Sequence, residues 1–154
     1  MKKKVVSYIF VLLAIGGIMY LTMMRVEDSV ELSEVFRSLL TNICGKLGID
    51  ISTEWWNTSG NIRLLGHVIE YFVLGLVIGI AVRNKLFGLI ICMSFSLIDQ
   101  IVKIYVPARH FDKGDIPFDI VGFCGGLAIA WVLRFAINKL KDMREQQSEL
   151  DEIQ

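Results

Sequence analysis

Proline is almost missing from this chain of 154 residues: only Pro107 and Pro117 are present. Long stretches are therefore free of the residue that most readily breaks a helix. No charge of one sign dominates, because 16 basic and 16 acidic side chains cancel. Nucleic-acid surfaces draw on an excess of Lys and Arg, so that partner is not expected. Cysteine is sparse. Cys44, Cys92 and Cys124 match no zinc-ligand or redox spacing and read as small buried hydrophobes. There is no Gly-rich phosphate loop, no nucleophile elbow and no His-Glu-x-x-His pair. No internal repeat or low-complexity tract occurs either, and no cofactor is expected.

What the chain does have is apolar bulk. It is 54% hydrophobic, with a mean hydropathy of +0.55, where a soluble domain is usually about 45–50% apolar. The excess gathers into runs of about 20 residues, the length needed to cross a bilayer. Four such spans are read: Val5–Met24, Ile62–Val82, Leu86–Val106, and Asp115 or Ile116 to about Ile137. The fold expected is an all-α membrane protein of four transmembrane helices, with an additional amphipathic helix between the first and second. Residues 1–138 form the membrane domain, and residues 139–154 form a charged tail that continues the last helix.

The amphipathic segment covers residues 28–48. Asp28 or Ser29 can cap it, with Glu31 three residues after Asp28 as in a capping box. Leu32, Phe36, Leu39, Ile43 and Leu47 recur at steps of three and four, the stripe of a one-sided helix. It is too polar to span and suits either the membrane interface or the flank of the bundle. Trp55-Trp56 suits the headgroup level. Asn57-Thr58-Ser59 fits a glycosylation sequon, a weak pattern.

Basic residues set the expected orientation. Lys2, Lys3, Lys4, Arg83, Lys85, Arg134, Lys139, Lys141 and Arg144 fall on one side and outnumber the acids there. That side is read as cytoplasmic, with both termini on it, in a multi-pass membrane protein. The amphipathic segment and the polar loop from Pro107 to Gly114 then face outward.

Charges inside the spans carry the functional clue, because ionisable groups are costly in a bilayer. Arg63, His67 and Glu70 (with Tyr71) share one face of the second span, being offset by four and three. Asp99 and Lys103 are four apart, with Gln100 beside them. Asp115, Asp119, Gly122 and Gly126 continue along one stripe. His67 and Asp99 each lie roughly 9–10 Å below the outer end of their span, at 1.5 Å per residue. The inner halves are nearly uncharged. Gly75/Gly79 and Gly122/Gly126 are small-xxx-small pairs that allow close helix contact. A bundle closed at its inner end and open to a polar pocket at its outer end follows.

Two readings compete for these charges. One is mutual neutralisation, such as Arg109 with Asp112 or Asp99 with Lys103. The other is a site, with Glu70, His67 and Asp99 offering acid, base and pKa-tuning options. Pairs needed only for stability can be replaced by apolar packing, which favours the site. His67 and His110 with the carboxylates can ligate a metal, but no spacing is diagnostic and none is expected.

Asp99-Gln100-Ile101-Val102-Lys103, then Val106-Pro107-Ala108-Arg109, then Asp115 and Asp119 before Gly122, resemble the VanZ-like family of small bacterial membrane proteins. Its pattern is Asp-Glu-x-x-Gln, then Pro-Gly-Arg, then Asp-x-x-x-Asn/Asp-x-x-Gly. Arg63-x-x-x-His67-x-x-Glu70-Tyr71-Phe72-x-Leu74-Gly75 is similar to its His-bearing helix. The resemblance covers about Arg63 to Gly126. It implies a role at the cell envelope, the named member lowering susceptibility to teicoplanin-type lipoglycopeptides. Gln100, Lys103 and Ala108 depart from the family's Glu, Gln and Gly.

Where that Glu transfers a proton, Gln100 cannot replace it, so binding is expected ahead of catalysis. The ligand-binding residues expected are Arg63, His67, Glu70, Tyr71, Asp99, Gln100, Lys103, Arg109, Asp115 and Asp119. The partners expected are membrane lipids and a lipoglycopeptide or the cell-wall precursor it targets. The rival readings are an intramembrane enzyme acting on a lipid carrier, with His67 or Glu70 as general base, and a structural or partner-binding membrane protein.

Overall fold

The computed structural model of the chain describes residues 2–49 and 59–151. Those residues form five α-helices and no strand: α1 Lys2–Met23, α2 Val26–Lys46, α3 Ser59–Ala81, α4 Lys85–Lys103 and α5 Asp115–Asp151. Four regions are long and apolar enough to cross a membrane: Val5–Met23, Gly60–Ala81, Lys85–Lys103 and the helix within Asp115–Gln147. This composition is consistent with a multi-pass membrane protein. Trp55-Trp56 and nearly all of the sequon lie outside the described residues.

The bundle is built on α3 and α5, which share the most extensive contact. Glycine makes that contact possible. A Cβ on Gly122 would overlap the Val68 carbonyl oxygen, and one on Gly126 the Phe72 carbonyl oxygen. Gly75 meets the backbone of Phe123 in the same way. Without side chains between them, the two backbones come together as small-residue pairs allow. Tyr71, Leu74 and Ile78 of α3 then bury against Phe123 and Leu127 of α5, with Cys92 of α4 and Ile18 of α1 closing the core. Cys92 is indeed a buried hydrophobe, whereas Cys124 is exposed and Cys44 half-buried.

The outside is apolar. Leu12 and Leu13 of α1 are 68% and 65% exposed, and Phe135 of α5 is 71% exposed. Water penalises such a surface and hydrocarbon does not.

Two connections define the ends of the bundle. At the turn end, α3 meets α4 through Val82, Arg83 and Asn84. The Asn84 side chain accepts a hydrogen bond from the Phe87 N–H at 3.2 Å, capping α4. At the loop end, α4 meets α5 through residues 104–114. There Asp112 accepts from the Gly114 N–H at 2.8 Å, and its carbonyl accepts from the Asp115 N–H at 3.3 Å. Pro117 sits in the first turn of α5, where its missing N–H costs nothing. Ala108 has φ +62°, a left-handed conformation that favours glycine.

Some sequence expectations change. α4 ends at Lys103 rather than Val106, because the chain turns through Ile104 and Tyr105 into the loop. α5 runs unbroken from Asp115 to Asp151, so the tail does continue the last helix. α2 begins at Val26, two residues before the expected cap. Arg25 is its N-cap and makes no side-chain cap bond, so the capping box at Asp28 does not form; Asp28 lies in the first turn and pairs with Arg25 at 3.2 Å. Most of the apolar stripe of α2, which suited either the interface or the flank of the bundle, is exposed, with Phe36 alone of it half-buried. Leu32, Leu39, Ile43 and Leu47 are exposed, while Ser29, Ser33, Phe36 and Leu40 are half-buried toward the bundle.

Candidate functional site

The inward face of α4 is Gly88, Cys92, Ser96, Asp99, Gln100 and Lys103, all buried. The steps of four, four, three, one and three hold one side of a helix toward its neighbours. Along that face the chemistry changes from apolar at the turn end to polar at the loop end. The matching polar stretches are Arg63 and His67 on α3, and Asp115 and Asp119 on α5.

Asp115 is the hub. It is 1% exposed, and four groups converge on it. Arg63 donates at 2.8 Å, Lys103 Nζ lies 2.9 Å away, Gln100 Nε2 donates at 3.4 Å, and His67 Nε2 lies at 3.4 Å. Arg63 also reaches Asp112 at 2.8 Å, and Gln100 Oε1 accepts from the Asp112 N–H at 3.2 Å. The loop is therefore fastened to α3 and α4 through the same residues that surround Asp115.

A second set lies deeper. Lys103 Nζ is 3.0 Å from Asp99 Oδ2, and Thr22 Oγ1 at the end of α1 contacts Asp99 Oδ1. Thr22 Oγ1 is also 2.9 Å from the Ile18 carbonyl; with one proton to give, it serves one acceptor at a time. Ser96 donates to Asp119 Oδ2 at 2.7 Å. His67 Nδ1 lies 3.0 Å from Asp119 Oδ1 without hydrogen-bond alignment. Asp99, Asp115, Asp119 and Lys103 are all buried, which buried charge tolerates only when paired.

In front of this network is a cavity of about 550 Å³ between α1, α2, α3 and the loop. One wall is apolar, from Leu21, Val26, Val30 and Phe36. The other is polar, with Arg63, His67, Glu70, Lys103, Arg109, His110 and Asp115 at its surface. Glu70, Arg109 and His110 differ from the rest: none of them makes an ion pair or a side-chain hydrogen bond among the described residues. Burial lowers the Arg109 guanidinium from its ordinary range, and Asp99 and Glu70 act in the opposite sense. Arginine remains charged under any such shift.

Six expected residues, Arg63, His67, Glu70, Lys103, Arg109 and Asp115, line the cavity. Asp99, Gln100 and Asp119 form the layer behind it. Tyr71 is fully buried and stacks on His67 with ring centroids 6.4 Å apart. Of the two suggested neutralising pairs, Asp99–Lys103 forms. Arg109–Asp112 does not, because Arg63 takes Asp112. The sequence reading missed Thr22 and Ser96 as members, and it gave Asp112 the wrong partner. Ser96 had a signal, lying three and four residues before Asp99 and Gln100 on the same face. Thr22 had none, since its role depends on how α1 meets α4.

Comparison with protein-family models, with curated proteins and with solved structures returned no match.

Proposed function

We propose that the chain is a bacterial envelope protein of VanZ-like type whose loop-end cavity faces outward and binds an anionic amphiphile at the cell surface. The amphiphile is a lipoglycopeptide of the teicoplanin class or the lipid-linked wall precursor it targets. Binding lowers susceptibility to the antibiotic. The observation that carries this reading is Arg109. It is a half-buried cation lining a cavity whose other Lys and Arg side chains, Lys103 and Arg63, are already matched by carboxylates. A guanidinium in that position meets a phosphate or carboxylate with a two-pronged geometry. The apolar wall opposite accepts an acyl chain, and the exposed stripe of α2 lies in the interface beside it.

The outward direction rests on the excess of Lys and Arg at the turn end and near both termini. The departures at Gln100 and Lys103 also support binding. Gln100 is spent on Asp115 and the Asp112 N–H, and Lys103 on Asp99 and Asp115. Neither is placed as a free acid or base. The reading is tested by deleting the gene, measuring teicoplanin susceptibility, and complementing with wild type, Arg109→Ala and Asp99→Ala. Susceptibility rises on deletion and is restored by wild type but not by Arg109→Ala. A deletion with unchanged susceptibility rejects the resistance role.

An intramembrane enzyme acting on a lipid carrier is the second reading. It draws on His67, which lies between Asp115 and Asp119 and opens on the cavity, as an oriented general base does. Altered envelope lipids in the deletion strain, reversed by wild type and not by His67→Ala, distinguish it.

A further inference from the structure

We infer that His67, Asp99 and Asp119 form a binding site for one divalent transition-metal cation, of the zinc or manganese type. The site lies at the back of the cavity, which His67 also lines, and its assignment does not rest on what the cavity binds.

Three atoms mark it: His67 Nδ1 on α3, Asp99 Oδ2 on α4 and Asp119 Oδ1 on α5. Each is buried and has no aligned hydrogen-bond partner among the described residues. The Asp99 and Asp119 side chains are 3% and 0% exposed, and His67 is 11% exposed. Asp99 Oδ2 has only the Lys103 ion pair and Asp119 Oδ1 only the nearby His67 ring, and a buried carboxylate oxygen calls for more than that.

The opposite atom of each group is engaged. Asp99 Oδ1 faces Thr22, Asp119 Oδ2 accepts from Ser96 at 2.7 Å, and His67 Nε2 faces Asp115 Oδ2 at 3.4 Å. This is the outer support that metal ligands usually carry: one atom held by the protein, the other presented. Lys103 Nζ also lies 3.5 Å from Nε2; the tautomer that carries its proton on Nε2, toward Asp115, is the one that presents the Nδ1 lone pair to an ion.

The geometry fits a shared ion. One donor atom from each of the three residues lies within 4.8 Å of the others. Two ligands each about 2.1 Å from one ion stand roughly 3–4.2 Å apart, so a small contraction completes the set. His67 Nδ1 and Asp119 Oδ1 are already 3.0 Å apart but misaligned for N–H···O bonding. A cation between them satisfies both.

Charge points the same way. The carboxylates of Asp99, Asp112 and Asp115 pair with Arg63 and Lys103, and Asp119 faces only the His67 ring. Lys and Arg thus leave these four carboxylates two positive charges short, and a divalent cation supplies them. One imidazole with two carboxylates suits zinc or manganese, and no thiolate is present to favour softer ions. Lys103 Nζ is the competitor: it lies 3.0 Å from the same Asp99 oxygen, but also 2.9 Å from Asp115, to which it can be given up. The donors come from three helices, so no short sequence spacing announces them.

The test uses the full chain purified in detergent and stripped with chelator. It is loaded separately with zinc chloride or manganese chloride, desalted, and measured by elemental analysis. Wild type retains about one equivalent of at least one of these metals, with an imidazole signature in its X-ray absorption spectrum. Asp119→Asn, which keeps a side chain for Ser96 to bond, loses at least tenfold in affinity, as does His67→Ala. Arg109→Ala retains the metal unchanged. Helix content by circular dichroism and a single size-exclusion peak establish that each variant is folded. Where Asp119→Asn fails that check, Asp99→Asn takes its place. Folded wild type that retains no zinc or manganese overturns the assignment, and so do folded Asp119→Asn or Asp99→Asn proteins that bind as wild type does.

Discussion

At the turn end, Arg134 and Lys85 are satisfied without carboxylates. Arg134 donates to the Ile80 carbonyl at 2.7 Å and the Val82 carbonyl at 3.1 Å, capping the C-terminus of α3. Lys85 sits 5.2 Å from the ring of Trp131. Helix-end carbonyls and an aromatic face are ordinary partners for a cation. At the loop end, carboxylates outnumber the cations paired with them, and most of these groups are buried. The same two helices thus finish one end with local caps and the other with a charge network drawn from α1, α3, α4, α5 and the loop. Caps of the first kind serve the fold. A surplus of buried carboxylate is more than the fold requires, since apolar packing serves a bundle as well or better.

The sharpest way to break that contrast is to remove its hub. Asp115→Asn leaves Lys103 and Arg63 short of a counter-charge and is expected to cost about 3–5 kcal/mol, as breaking a buried ion pair does. The measurement is the fraction of protein recovered monodisperse, with a thermal melt of whatever folds. Next comes the seam shared by both ends. Gly126→Leu drives a side chain into the Phe72 backbone, and strain of about 1–3 kcal/mol or more is expected, read by the same melt. Arg134→Ala at the turn end removes two charge-assisted bonds and is expected to cost about 1.5–3 kcal/mol while leaving loop-end function intact. Equal losses of function for Arg134→Ala and Asp115→Asn would erase the distinction between the ends. The smallest effect is at Ala108. Its left-handed backbone costs about 1–2 kcal/mol, and glycine restores most of that while adding about 0.5–1 kcal/mol of unfolded-state freedom. Ala108→Gly is therefore expected to raise the melting temperature slightly.

Much of the fold was legible in the chain itself. The four apolar runs, the glycine pairs and the faces bearing His67, Asp99 and Asp119 follow from helical period and residue size. The partner assignments were not legible. Asp112 could reach Arg109 or Arg63, and only the path of the loop decides for Arg63. The face of α2 stayed open because its leucines suit lipid as well as protein, and period alone does not say which solvent a stripe meets. Glycine in the family pattern where Ala108 stands was the one sequence hint of the left-handed turn.

The most direct measurement is binding to the purified protein. Teicoplanin and a lipid-linked wall precursor are each titrated into wild type and Arg109→Ala in detergent or nanodiscs. At least one ligand binds wild type saturably at one per chain. Loss of a charge-assisted contact worth about 1.5–3 kcal/mol weakens it roughly tenfold or more in Arg109→Ala. Failure of both ligands to bind, or equal affinity for the two proteins, would contradict the assignment of this cavity to an anionic amphiphile.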